Sequence, residues 1–219
     1  MIHIWRRWRS KLHLQLIFVL LHENKPRVNV CVVTSRRLDR PDWDALYGTA
    51  LEQEGHFTTE QARKAGYSPQ LLAKYLLSAK VARVRRGIYR IKHFPAGQQE
   101  ELVVIWLWSE RAGVFSHETA LTLYELSDIL PSRVHLTVPA TWRWRRLRVP
   151  EGVVLHYAQV PAREKRWIGA VPVTSVPRAL ADCAADHLAP DLLSVATDQA
   201  LTRGLIGKDQ AAKIREAFT

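Results

Sequence analysis

The sequence predicts an α+β protein in which an N-terminal winged helix-turn-helix precedes a C-terminal mixed α/β domain. Three observations carry this expectation. Residues 42–92 read in order as helix, helix, glycine turn, helix and hairpin. The hairpin is basic: residues 80–92 hold Lys80, Arg83, Arg85, Arg86, Arg90 and Lys92 and no acidic residue. Beyond residues 94–99, where Pro95 and Gly97 mark a linker, helical and alternating apolar segments are interleaved. Two helices joined by a short glycine-containing turn form the supersecondary unit of many DNA readers, and a basic hairpin behind them makes the winged form.

The elements follow from local signals. Asp42, after Pro41, caps a helix over 42–54 whose Leu46, Ala50 and Leu51 share one face, and Gly55 stops it. His56 and Phe57 form a short extended connector, and Thr58 or Thr59 caps a second helix over 59–65. Gly66 permits the tight turn, Ser68 caps the third helix and Pro69 opens it. Leu71, Leu72, Tyr75 and Leu76 supply the buried face of that helix, which ends near 78–80. Strands are expected over 81–84 and 87–91, around Arg85, Arg86 and Gly87.

In the second half, 98–108 reads as a helix, and Ser116 caps another over 118–126. Residues 133–138 and 153–158 read as strands separated by the basic stretch 141–148. Pro172 and Val173 lead into a helix capped by Ser175 and reaching Ala185, followed by helices over 190–202 and 208–218. The expected boundaries are a basic extension at 1–40, the winged helix-turn-helix at 41–94 and the α/β domain at 98–219.

Charge points to an anionic partner, with a local qualification. The net charge is +11 and the pI about 10.0. Residues 1–40 carry nine Lys and Arg against Glu23 and Asp39, so +7 of the +11 lies there. The apolar run 12–21 is broken by His13 and Gln15, lacks a cleavage site and is too short to span a bilayer. Two readings of the extension stand: a disordered basic arm, or sequence translated upstream of a start near Val33. Cys31 and Cys183 are far apart and form neither a disulfide framework nor a zinc spacing, which fits reduced thiols in the cytoplasm.

Candidate DNA-binding residues divide by chemistry. Arg83, Arg85, Arg86, Arg90 and Lys92 on the hairpin suit the phosphate backbone, where cations displace condensed counterions. Gln70 and Lys74 lie off the apolar face of the third helix and suit base edges, with Ser68 at its N-terminus suited to phosphate. A second patch interleaves Trp142 and Trp144 with Arg143, Arg145, Arg146 and Arg148. It fits nucleic acid, a protein partner, or Trp rings packed beneath Arg stems. Ser116, His117 and Glu118 invite a catalytic reading, but neighbours at a helix start are not expected to form a relay. His135 and His156 are expected as packing or surface residues rather than ligands. No HExxH, CxxC, phosphate loop or paired-carboxylate pattern occurs, so no enzyme activity, metal or cofactor is expected.

Three ordered segments carry a resemblance: GHFTTEQARKAGYSPQLLAKYLLSAKVARVRRGIYRI from Gly55, FSHETALTLYELSDILPSRVHLTVP from Phe115, and PVTSVPRALADC from Pro172. Together they make residues 42–186 similar to the AbiEi-type antitoxin and transcriptional regulator family of type IV toxin-antitoxin systems. The resemblance implies a winged-helix domain followed by a C-terminal α/β antitoxin domain, and repression of the antitoxin's own operon through inverted repeats in double-stranded DNA. It implies a companion toxin resembling a nucleotidyltransferase, neutralised without need of direct contact. A monomer or weak dimer with no membrane association is expected. Some relatives continue into a restriction-endonuclease-like domain, whereas this chain shows no acidic-plus-Lys nuclease core after 172–183. The alternatives are a nuclease-like protein targeted by the winged helix and a toxin-binding interaction module.

Overall fold

The computed structural model describes residues 40–126 and 131–216; the expectations for residues 1–39, including the extension and Cys31, lie outside them. Helix α1 (Trp43–Leu51) begins where Asp42, in extended backbone, accepts a hydrogen bond from the Ala45 N–H at 2.9 Å. It ends before Gly55, whose φ of +84° favours glycine and where a Cβ would lie 2.6 Å from the Phe94 ring. The connector at His56 is a strand, β1 (His56–Thr58). Thr58 then closes a reciprocal capping box on α2 (Thr59–Lys64): its Oγ1 accepts from Gln61 N–H at 3.2 Å, and Gln61 Oε1 accepts from Thr58 N–H at 2.8 Å. Helix α3 (Pro69–Leu77) starts at Ser68, whose Oγ accepts from Leu71 N–H.

Strands β2 (Val81–Arg85) and β3 (Ile88–Ile91) follow, and the sheet runs β1-β3-β2, antiparallel throughout. Beneath it lies a core of Leu46, Ala50, Phe57, Ala62, Tyr67, Leu72, Val81 and Ile91. Strand geometry sends alternate side chains of β3 to opposite faces. Tyr89 and Ile91 pack with this core, whereas Ile88 joins the larger core of the second half.

That larger core is built on α4 (Glu100–Trp108), which packs on β1 and β3, and on a five-stranded mixed sheet ordered β6-β5-β4-β8-β7. Its strands are β4 (Val114–Phe115), β5 (Val134–Val138), β6 (Val153–Tyr157), β7 (Lys165–Ile168) and β8 (Val171–Thr174). The pairs β4–β8 and β5–β6 are parallel, and β4–β5 and β7–β8 antiparallel. Helices α5 (His117–Leu123), α6 (Val176–Ala185), α7 (Pro190–Thr202) and α8 (Lys208–Glu216) complete it. Among the described residues no helix is long and apolar enough to cross a membrane.

Several expectations are corrected. The segment around Pro172 is a strand with neighbours on both sides, not a lead-in. A proline fits there because pairing towards β4 is limited to one register position, Phe115 opposite Val173. Ser116 and Ser175 occupy N-cap positions without a capping side-chain hydrogen bond. Between the two strands, the basic stretch 141–148 begins within a 3-10 helix, Ala140–Trp144.

The segment 94–99, expected as a linker, is tied down by charged side chains. Arg90 donates to the carbonyls of Ile91, Phe94 and Pro95 and to Glu100 Oε1 at 2.6 Å. The Glu54 carboxylate accepts from Gln99 N–H at 2.9 Å, and Gln99 Oε1 accepts from Ala170 N–H at 3.1 Å. Burial pushes the Glu100 carboxyl up, but the Gly97 N–H and the Arg90 guanidinium outweigh it and hold it below its ordinary value. A depressed carboxylate stabilises the fold fully above its unfolded pKa and loses that contribution as pH falls through the lower folded one. Replacing Arg90 by Ala should therefore cost about 1–3 kcal/mol at neutral pH, by leaving these acceptors unpaired. Urea unfolding should show that cost shrinking as the pH is lowered into the carboxylate range. An equal cost at both pH values would mean that Glu100 contributes nothing to the clamp.

Candidate nucleic-acid interface

Helix α3 shows one open face. Leu72 is buried and Leu71, Tyr75 and Leu76 are partly buried against the small core. Gln70, Ala73, Lys74 and Leu77 are all exposed. Their spacing of i, i+3, i+4 and i+7 places them in a single stripe along the helix. Leu77 is 90% exposed, an apolar side chain without a core. The signal for it was present in the sequence, since it falls out of phase with Leu72 and Leu76. Ser68 is half-buried, with its hydroxyl engaged in the cap.

The hairpin places its cations unequally. Arg83, Arg86 and Lys92 are exposed and Arg85 is half-buried. A bulge between Arg83 and Arg85 interrupts the expected alternation, so that Arg83 and Val84 are both exposed. At the tip, Gly87 has a φ of +78°, and its carbonyl accepts from Thr59 N–H at 3.0 Å, which ties the tip to the start of α2. Lys80 lies over the Tyr75 ring, 5.1 Å from its centroid. Arg90 does not project outward. It shares the face of Ile88, its side chain is only 18% exposed, and its guanidinium is spent on the linker and Glu100.

The Trp/Arg patch also divides. Trp142 is buried, with the Arg145 guanidinium 4.0 Å above its ring centroid and paired to Glu110 at 2.7 Å. Arg143 lies over Tyr157 at 5.7 Å. Trp144 is 87% exposed, and Arg146 and Arg148 are exposed beside it. Trp142, with Arg145 covering its ring, thus matches the packing reading of this stretch, and Trp144, Arg146 and Arg148 are left without such a contact among the described residues.

The structure also assembles a group that the sequence left apart. His117, His135 and His156 converge where α5 meets β5 and β6. Ser116 and His117 do touch, with Ser116 Oγ 2.9 Å from His117 Nδ1, because His117 takes a φ of +51°. Ser116 is fully buried and accepts from Thr137 Oγ1, so the contact offers no nucleophile to a substrate. Burial, reinforced by the positive fields of His156 and His135, pushes the His117 imidazole down to about 3.

These placements give separate expectations for stability. Exchanging Arg143 and Arg146 together for Ala should leave unfolding by urea within about 0.5 kcal/mol of the native chain. Arg145→Ala should cost about 1 kcal/mol through the lost ring contact and ion pair. Trp142→Ala should cost about 3–5 kcal/mol by opening a cavity. Equal losses for Arg145 and for the Arg143/Arg146 pair would refute the division.

Residues 49–92, which span the end of α1 through the basic hairpin, match the family of transcriptional regulators described as AbiEi antitoxins. No curated protein matches the chain. Among solved structures, it is distantly similar to the Rv2827c protein of Mycobacterium tuberculosis, at 14% identity over 80% of each chain and a TM-score of 0.39. The similarity to the AbiEi antitoxin transcriptional-regulator family thus falls on the segment holding α2, α3 and the basic hairpin.

Proposed function

We propose that residues 41–94 act as a winged helix-turn-helix that reads operator DNA. In this reading the chain is a cytoplasmic, sequence-specific repressor and the antitoxin of a toxin-antitoxin operon whose promoter it autoregulates. The observation that carries the reading is the open stripe Gln70, Ala73, Lys74 and Leu77 on a helix packed against a hairpin with exposed Arg83 and Arg86. In a helix-turn-helix the second helix of the pair enters the major groove, where base edges are distinguishable. Gln70 suits a bidentate pair with adenine, Lys74 suits guanine or phosphate, and Leu77 suits a thymine methyl. The hairpin cations suit phosphate, which gives affinity without sequence information.

Residues 98–219 serve in this reading as the antitoxin domain, paired functionally with a nucleotidyltransferase-like toxin and not required to touch it. The exposed Trp144, with Arg146 and Arg148, favours a second contact surface in this half, for nucleic acid or protein.

Arg86→Ala should weaken cognate and scrambled duplexes alike and lower the salt slope by about one. Gln70→Ala should cost roughly 1–3 kcal/mol on the cognate duplex with little change on the scrambled one. Salt titrations of both variants on promoter and scrambled DNA provide the test. Loss of cognate binding alone in Arg86→Ala would make the arginine a base or groove-shape reader. An unchanged specificity ratio in Gln70→Ala would remove α3 as the reading helix.

A further inference from the structure

We propose that His117, His135 and His156 form a zinc-class metal site, with three imidazole nitrogens as ligands and the fourth position open to water. The residues are 18 and 21 positions apart and fit no sequence spacing, so only the fold assembles them. Strands β5 and β6 are parallel, with His135 opposite Val154 and Thr137 opposite His156. His135 and His156 therefore lie diagonally on one face of the sheet. The first residue of α5 is set over that face, and the His117 ring stacks on His156 with centroids 3.6 Å apart.

The spacing suits a small tetrahedral centre. His135 Nδ1 and His156 Nε2 are 3.0 Å apart, and one ring nitrogen from each of the three residues lies within 4.8 Å of the others. Metal–nitrogen bonds of about 2.0–2.1 Å at tetrahedral angles need ligand atoms about 3.3 Å apart with converging lone pairs, so the stacked rings would turn about their side-chain bonds to take up the ion. Imidazole sets favour zinc and its first-row neighbours over magnesium or calcium.

The surroundings are those of oriented ligands. With Nδ1 of His117 held by Ser116 Oγ at 2.9 Å, its Nε2 is left for a metal, and Thr137 in turn fixes the serine. The backbone N–H of His135 donates to Thr119 Oγ1 at 2.8 Å, which locks β5 to α5. The negative charge of Asp186, at the end of α6, acts on both His117 and His156 and favours a dication there, opposed by the weaker field of Arg178 on His117. His117 holds its position with a left-handed backbone, a conformation that costs a non-glycine residue on the order of 1–3 kcal/mol and clusters at functional sites. Bound metal would stitch the start of α5 to β5 and β6 in a half of the molecule separate from the DNA-reading face, so the inference does not rest on that function.

The test uses the full chain, stripped by a chelator and titrated with Zn²⁺ against a chromophoric competitor. One equivalent should bind, and thermal unfolding should move to higher temperature. Co²⁺ in its place should give the strong visible absorption of a tetrahedral ion. His135→Gln and His156→Gln should each weaken Zn²⁺ by at least about 10–100-fold. Replacing His3, His13 and His22 together should leave the affinity unchanged. Absence of stoichiometric Zn²⁺ binding, absence of the tetrahedral Co²⁺ spectrum in the native chain, or undiminished binding in the two Gln variants would each overturn the proposal. The undiminished case would mean that the rings form only a hydrogen-bonded stack.

Discussion

The double pairing of β3 is the constraint on which the rest of the structure depends. This four-residue strand has β1 on one edge and β2 on the other, so its backbone groups are satisfied on both sides. Its side chains then alternate between two destinations. Tyr89 and Ile91 go to the small core, where Tyr89 stacks on Phe57 with centroids 5.8 Å apart. Ile88 goes to the large core, and Arg90, on the same face, goes to the linker. A register slip of one residue would exchange these sets and place an arginine in the small core. The basic hairpin is therefore held in a fixed place relative to α3 by apolar burial. Its exposed cations carry none of that load.

The same logic sorts the arginines. A guanidinium that completes four acceptors inside the fold cannot also neutralise a phosphate, and Arg90 is spent in this way. Arg83 and Arg86 have exposed positions on a strand and turn fixed by their neighbours. In the second half, Arg145 covers Trp142 and pairs with Glu110, so part of the densest Trp/Arg stretch in the sequence serves packing. Counting basic residues along the chain would have ranked these side chains equally. Burial and hydrogen bonding separate them.

What was legible in the sequence was what local chemistry determines. Asp42, Thr58 and Ser68 announce helix starts because their side-chain oxygens meet N–H groups three residues on. The apolar phase of α3 and the Gly87 turn are equally local. Short strands were not legible. β4 has two residues and β1 three, too few to show a period of two, and Pro172 disguised β8. Arg90 could have been placed by noting that it shares strand parity with the buried Ile88. The histidine cluster could not, because parallel pairing of β5 with β6 brings together residues with no fixed sequence relation.

The claim that matters most is that DNA is met by α3 and the hairpin, with the five-stranded sheet behind. Hydrogen exchange of the full chain, with and without a duplex carrying the promoter of its own operon, addresses it directly. Reading through this face predicts slowed exchange over 69–77 and 81–91 on adding DNA, with the strands at 134–138 and 153–157 unchanged. Slowed exchange confined to 134–157, with α3 and the hairpin unaffected, would contradict it.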